Sequence, residues 1–334
     1  METLLFLAHT EPDGGMSRPS LEVLSLASSL GIPFVIGLVG ASTQAAADSI
    51  ASCGAARFLA VDGEAFTAPR YATDAAAAEA LARAAGATLI LAPGTSRWSR
   101  VLAGVACRLG GVIDTHATSV ALEDGHPVIS RWYYRQRLEA SQTRGARPWI
   151  IVLDSGCAAP WSGAGGSAAL ETIAVDAGSP RTTVTGVQAP PSSVRTIRPD
   201  AKLLFVAGAG WTKKQKDGQP HVAEAGTLIL DFLNKAQCSL GSSKSLVDLS
   251  GEGQSVLPFL THLNQVGQTG ATPRHPKGLA TCCHGEEPHV VGWRFITERR
   301  AVNLDPNCGW ARGKADVLYV ADAFEVMRKL IDLL

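Results

Sequence analysis

The chain carries no net charge: 30 lysines and arginines are matched by 30 aspartates and glutamates over 334 residues. That balance offers no global attraction to nucleic acid or to an anionic membrane. Aromatic residues are scarce at 6%, and charged residues reach only 18% against 46% hydrophobic. Such a composition argues against disorder and supplies enough apolar side chain for a core. Long hydrophobic runs are missing. The apolar runs at 32–39 and 203–209 have the length of a strand and are too short to span a bilayer. The seven cysteines are odd in number and mostly scattered among apolar neighbours, with no C-x-x-C pair. This fits a reducing cytoplasm better than a disulfide scaffold. No basic leader precedes the first apolar run at 4–8, and no Arg/Ser-rich amphipathic leader is present. The expected location is therefore the cytoplasm, without secretion or mitochondrial import.

Catalytic signatures are missing too. There is no Walker A loop, no G-x-S-x-G elbow and no Ser/His/Asp set. Gly208-Ala209-Gly210 follows an apolar run, but Lys213 occupies the third glycine position of a G-x-G-x-x-G pattern. An ordinary strand-to-helix turn is the more common explanation of such a fragment. Cys282, Cys283, His284 and His289 invite a metal reading. Adjacent cysteines ligate one ion poorly, so two thiols and no metal is the expectation. Arg131, Arg135 and Arg137 alternate with Trp132, Tyr133 and Tyr134. Strand alternation puts Arg131, Tyr133 and Arg135 on one face, which reads as a polar sheet face or a partner surface rather than a nucleic-acid patch.

What is present is an alternation of strand-length apolar runs with helical spacing. Residues 4–8, 33–39, 57–61 and 88–92 read as strands. Residues 20–30, 44–51, 75–85 and 99–109 read as helices, two of them stopped at Gly31 and Gly86. That order predicts a parallel sheet covered on both faces. From 119 to 154 the strands follow one another without long helices, which predicts a small antiparallel or mixed extension. Residues 172–187 read as β-like. The Pro- and Ser-rich stretch 188–200 reads as a domain boundary, giving domains at 1–190 and 200–334. The second domain opens with a strand at 202–206, then a helix at 223–236. A turn at 241–245 leads into the apolar run 246–249. A terminal amphipathic helix carries Phe324, Met327, Leu330 and Ile331 on one face.

The stretch 265–322 looks like a nucleotide-cofactor cradle. In Gly267-Gln268-Thr269-Gly270 two glycines frame an amide and a hydroxyl, which reads equally as a polar hairpin and as a loop of exposed donors. Glu286 and Glu287 could do acid/base work, although loop carboxylates are usually just solvated.

From Gln265 onward the sequence resembles the alpha subunit of electron transfer flavoproteins, in a divergent bacterial branch. Gln265-Val266-Gly267-Gln268-Thr269-Gly270 is identical to that family's Q-V-G-Q-T-G signature. Gly285 and His289 fall on the glycine and histidine of I-S-G-A-I-Q-H. Residues 301–306 match A-I-N-K-D-P, and 315–324 match A-D-Y-G-I-V-A-D-L-F. The first domain matches more loosely, at the opening strand, at Arg18-Pro19-Ser20-Leu21 and at Leu91-Ala92-Pro93-Gly94-Thr95. The resemblance implies an α/β protein. Its N-terminal parallel-sheet domain would be of the adenine-nucleotide-alpha-hydrolase type and contact a partner subunit. Its C-terminal domain would be Rossmann-like and bind FAD.

It also implies roles by position. Thr269 would bond the flavin near N5, with Gln265, Val266, Gly267 and Gln268 lining the flavin and ribityl region. The backbone of His284, Gly285, Glu286 and Glu287, leading into Pro288, would hold the pyrophosphate. His289 would face the flavin O2 edge, and Asn303 and Asp322 would hold the adenosine end. Ser243 and Lys244 stand where the family has G-A-S-R. Lysine keeps the charge but loses the planar fork. The family's G-G-R-G becomes Gly208-Ala209-Gly210-Trp211, so one cofactor-side arginine is missing. The implied protein is a redox carrier without a dedicated small-molecule substrate. It would pair with an electron transfer flavoprotein beta subunit, take electrons from flavin dehydrogenases and pass them to a quinone oxidoreductase, without inserting in the membrane. Two other readings stand beside it: a flavin-free interaction subunit, motivated by the missing arginines, and a flavin- or NAD-dependent dehydrogenase with its own substrate.

Overall fold

Leu4–His9 forms β1, with all six residues buried. A strand buried on both faces is possible only where helices cover both sides of a parallel sheet, and the chain around it builds that arrangement. The computed structural model describes residues 2–133, 138–178, 181–186, 197–198, 201–248, 256–266, 275–281 and 296–334. It divides the chain into two units, Met1–Val187 and Gln188–Leu334.

In the first unit β1 is followed by α1 (Arg18–Ser29), β2 (Phe34–Gly40), α2 (Gln44–Ser49), β3 (Arg57–Asp62), α3 (Tyr71–Ala85), β4 (Leu89–Pro93), α4 (Ser96–Ser99) and α5 (Leu102–Leu109). Then come β5 (Val112–Glu123), β6 (His126–Tyr133), β7 (Leu138–Gln142), β8 (Trp149–Leu153) and β9 (Leu170–Thr172). The nine strands make one sheet in the order β7-β6-β5-β8-β4-β1-β2-β3-β9. Its body is parallel, while β5, β6 and β7 pair antiparallel at one edge, as the run of strands without helices predicts. Alternation sorts β1 between two cores. Leu4, Phe6 and Ala8 pack with Val23, Leu24 and Ala27 of α1. Leu5 and Leu7 pack with Ala78 and Leu81 of α3 and Leu102 and Val105 of α5. Each fully buried leucine contributes about 1.5–3 kcal/mol. The helices stop where the chain allows it: α3 and α5 end at Gly86 (φ 59°) and Gly110 (φ 67°), left-handed positions that favour glycine.

Two buried carboxylates tie this unit together. Asp74 on α3 takes a bidentate pair from Arg97 at 2.6 and 3.0 Å. Asp114 on β5 accepts from Arg131, both Nε and Nη2 of Arg144, and the Trp149 indole N–H, at 2.8–3.0 Å. The Arg131 guanidinium also lies 4.6 Å from the centre of the Tyr133 ring. Arg131 and Tyr133 of β6 thus belong to an internal charge cluster on one sheet face. Tyr134, Arg135 and Arg137 lie outside the described residues.

The second unit contains β10 (Leu203–Ala207), α6 (Val222–Ala236), β11 (Ser239–Ser242), α7 (Lys244–Asp248), β12 (Lys277–Thr281), β13 (Glu298–Asn303), α8 (Gly309–Lys314), β14 (Val317–Val320) and α9 (Ala323–Leu333). Its five strands are all parallel, in the order β11-β10-β12-β13-β14. Phe232 of α6 and Phe324 and Met327 of α9 pack on one face with Phe205 and Leu240. Val206, Ala280 and Ala301 face the other side, toward Ala311 of α8. The protein is therefore α/β throughout, with a mixed sheet in one unit and a parallel sheet in the other. Among the described residues no helix is long and apolar enough to cross a membrane.

The structure corrects two local readings. Residues 172–187 were expected to be β-like, but among the described residues only Leu170–Thr172 is strand. The turn expected at 241–245 is split between the end of β11 and the start of α7. The Ser243 hydroxyl accepts from the Leu246 N–H at 3.3 Å, so the serine that reads as a turn former acts as a helix cap.

Burial pushes the Asp114 carboxyl up, but the hydrogen bonds and charge of Arg144, with the Trp149 indole, outweigh it and hold the group below its ordinary value. A depressed carboxylate stabilises the folded state above the unfolded value of about 4 and loses that effect as pH falls through the folded value. We expect Asp114→Asn to cost ~2–4 kcal/mol at pH 7. In urea unfolding the gap to the parent should narrow toward pH 3. A gap unchanged with pH would show that Asp114 acts by shape and not by charge.

Candidate functional site

In a parallel sheet of order 2-1-3-4-5, the connections leave on opposite faces where the order reverses, and a crevice opens outside the carboxyl ends of those strands. In the second unit that point lies between β10 and β12, the first and third strands of this sheet. β10 ends at Ala207 and runs into Gly208 and a 3-10 turn over Ala209–Thr212. β12 ends at Thr281, where the Gly208 N–H donates to the Thr281 carbonyl at 2.8 Å.

The described candidate residues all lie at this end of the sheet. Ser243 and Lys244 follow β11 directly. Gln265 bridges in parallel to Ser242, and the Val266 N–H donates to the Ser242 carbonyl at 3.0 Å. Asn303 is the last residue of β13, and Asp322 stands between β14 and α9. The structure groups them in two sets. Ser243, Lys244, Gln265 and Val266 form one. Asn303 and Asp322 form the other, lining a small recess of about 20 Å³ with Gly210 and Gln215. Gly267, Gln268, Thr269, His284, Gly285, Glu286, Glu287, Pro288 and His289 lie outside the described residues, as do Cys282 and Cys283.

The side chains differ in what they have left to offer. Ser243, Gln265 and Asn303 are buried, at 1%, 4% and 5% exposed. The Asn303 Oδ1 accepts from the Asp305 N–H at 3.0 Å. Lys244 is 52% exposed and lies 3.8 Å from Asp248. Asp322 is already employed, since its Oδ1 accepts from the Phe324 and Glu325 N–H groups and caps α9. Its second oxygen lies 3.8 Å from Lys216, so the lysine near this set is Lys216, while Lys213 and Lys214 are exposed on the loop. Trp211, in the turn that lacks the family's arginine, is fully buried. Its ring packs 4.7 Å from that of Phe324 and its indole donates to Thr281 Oγ1 at 2.8 Å.

One feature fits a bound cofactor at this end. Ser242 Oγ is buried and has no partner among the described residues, and an unsatisfied buried hydroxyl costs about 1–3 kcal/mol unless something bonds it. Nothing in the residue pattern singled Ser242 out, because serine in a strand is unremarkable until its burial is known. Gly241 beside it serves the chain's own packing. A Cβ there would stand 2.5 Å from Val266 and 3.3 Å from Leu204. The missing side chain lets the segment carrying Gln265 lie against β11. Among the described residues no group of three His, Cys, Asp or Glu side chains is placed to hold a metal ion.

We expect Gly241→Ala to destabilise by ~1–3 kcal/mol through overpacking against Val266. Gly226→Ala, mid-helix in α6 with its nearest neighbour at 3.6 Å, should stabilise by ~0.4–1 kcal/mol. Chemical denaturation of both variants measures the contrast. Equal effects would mean that Gly241 is not the close-approach position.

Comparison with known families matches residues 4–178 to the electron transfer flavoprotein domain. Comparison with curated proteins gave no match.

Proposed function

The chain belongs to the electron transfer flavoprotein domain family, and from that premise we propose that it is the FAD-binding alpha subunit of a heterodimeric electron carrier. The observation that carries this is the second unit. Beyond the family-matched residues 4–178 the chain builds a separate parallel sheet of order 2-1-3-4-5. The described cofactor candidates lie at its carboxyl end. In this reading Ser243, Lys244, Gln265 and Val266, with Gly267, Gln268, Thr269 and His289, serve the flavin. The backbone of 284–288 serves the pyrophosphate, and Asn303 and Asp322 serve the adenosine end. The second oxygen of Asp322, which lies 3.8 Å from Lys216, suits a ribose hydroxyl, while the first stays with the helix cap. FAD supplies the redox chemistry; the chain binds it, orients it and sets the charge around it.

The first unit would contact a beta subunit. Flavin dehydrogenases would donate electrons and a quinone oxidoreductase would accept them, in the cytoplasm. A carrier of this kind needs no acid, base or nucleophile, which accords with the absence of such a set from the sequence.

The arginine missing from Gly208-Ala209-Gly210-Trp211 keeps one other reading in play, that of a flavin-free interaction subunit. Co-purification with the beta partner and a flavin absorbance spectrum separates the two. We expect a yellow complex holding FAD in this chain; a colourless heterodimer would refute the proposal. Lys244→Ala should lower the flavin midpoint potential. The effect should stay under ~1 kcal/mol per electron, because a half-exposed cation is screened by solvent. A redox titration that does not move would place Lys244 away from the flavin.

A further inference from the structure

The openings at the carboxyl ends of the two sheets differ in scale. In the first unit the strand order reverses between β1 and β4, and the crevice there has a volume of about 790 Å³, with His9, Ala45, Pro69 and Arg97 in its wall. The recess beside Asn303 and Asp322 in the second unit has a volume of only about 20 Å³. About 10–15 Å³ is the least that admits one water. The recess therefore takes a single group of that size, a hydroxyl or an amine, and neither a ring nor a phosphate.

One wall of the recess is a hairpin that the sequence encodes locally. Asp217 and Gly218 make its turn. Gly218 sits at φ 80°, and its N–H donates to the Gln215 carbonyl at 2.9 Å. The Asp217 Oδ1 accepts from the Gln219 N–H at 3.0 Å, as aspartate does in tight turns. The Gln215 N–H donates to the Gln219 carbonyl at 2.9 Å, and Lys214 bridges antiparallel to Pro220. Every residue of 213–220 is exposed except Gln215, which is half-buried and lines the recess. Its Nε2 donates to the Gly210 carbonyl at 3.0 Å and to the Lys213 carbonyl at 2.6 Å. Lys216 reaches toward the opposite wall, 3.8 Å from Asp322 and 3.9 Å from Glu325. The hairpin thus runs from the turn after β10 to the start of α9, across the recess.

The bond directions decide what the recess accepts. Two carbonyls face the end of the Gln215 side chain, and only the amide nitrogen can donate to them. That nitrogen carries two hydrogens, and both are committed. What Gln215 has left is Oε1, an acceptor with no partner among the described residues. Asp322 lines the same recess with a carboxylate, which only accepts, and one of its oxygens caps α9. Two acceptors beside a one-group space call for a neutral donor. A phosphate oxygen would meet the negative charge of Asp322 and bring no hydrogen. On the reading that the second unit binds FAD, on which this inference rests, the group brought to Asp322 is a ribose hydroxyl. We propose that Gln215 is the residue that sets specificity at that end. With Asp322 it accepts from a ribose hydroxyl of the FAD adenosine, and it thereby selects the intact ribose.

Calorimetry on the flavin-free full chain tests this, with FAD and with its two analogues that carry 2′-deoxyadenosine or 3′-deoxyadenosine. The parent should bind FAD about three- to tenfold more tightly than at least one analogue. Gln215→Leu, close in size but without the oxygen, should weaken FAD by about threefold and narrow that preference by the same factor. Lys214→Ala, on the exposed side of the same hairpin, should match the parent in both respects. The proposal is overturned if the parent binds FAD and both analogues alike, or if Gln215→Leu binds FAD as the parent does. It is also overturned if Gln215→Leu weakens FAD and both analogues equally, which would mean that Gln215 only shapes the hairpin, or if Lys214→Ala narrows the preference as much. A parent that binds no FAD would overturn the FAD reading and this inference with it. A parent that binds FAD beside an unaltered Gln215→Leu would overturn this inference alone.

Discussion

The handedness of the crossover connection sets where the carboxyl-end crevices of this protein open. A right-twisted strand followed by a helix returns to a parallel sheet in one hand only. When the chain starts building the sheet in the opposite direction, the helices must change face, and the carboxyl ends of two neighbouring strands are left uncovered. The first unit reverses between β1 and β4, the second between β10 and β12. Both crevices follow from that rule before any particular side chain is considered. The cores enforce it, because β1 and β10 are packed on both faces and a change of face would expose one set of apolar residues.

The two crevices are furnished differently. In the first unit the cation at the wall is tied to Asp74, and the remaining charge is acidic. In the second, the described residues offer a buried hydroxyl without a partner at Ser242 and a close backbone approach at Gly241. Asn303 and Asp322 complete that end of the sheet. The same fold logic thus gives two carboxyl ends lined by different side chains. Family membership bears on the first unit, since the matched residues end at 178. The proposed role of the second unit rests on its strand order and on the residues at its carboxyl end.

Much of the architecture was legible in the sequence because it depends on short-range pattern. The alternation of buried runs with helical spacing foretold the parallel sheet, and Gly86 marked a helix end that the structure places in the left-handed region. The run of strands after 119 foretold the antiparallel edge. What was not legible depends on burial or on contacts distant in sequence. Ser243 looks like a turn residue until its hydroxyl is seen capping α7. Asp322 reads as a ligand but also caps α9. Trp211 reads as part of a turn that lacks an arginine, yet its ring packs beside that of Phe324. The crevice of the first unit is assembled from His9, Ala45, Pro69 and Arg97, four positions on separate segments that no local motif connects.

The central claim is that the second unit binds FAD across the carboxyl ends of its sheet. Hydrogen exchange of the purified protein with and without FAD tests it most directly. The account predicts slowed exchange at 207–212, 241–246, 264–266, 303–305 and 321–325, with no change at the amino-end segments 201–203, 276–278 and 297–299. Protection confined to the amino ends, or none at any of these segments, would contradict it.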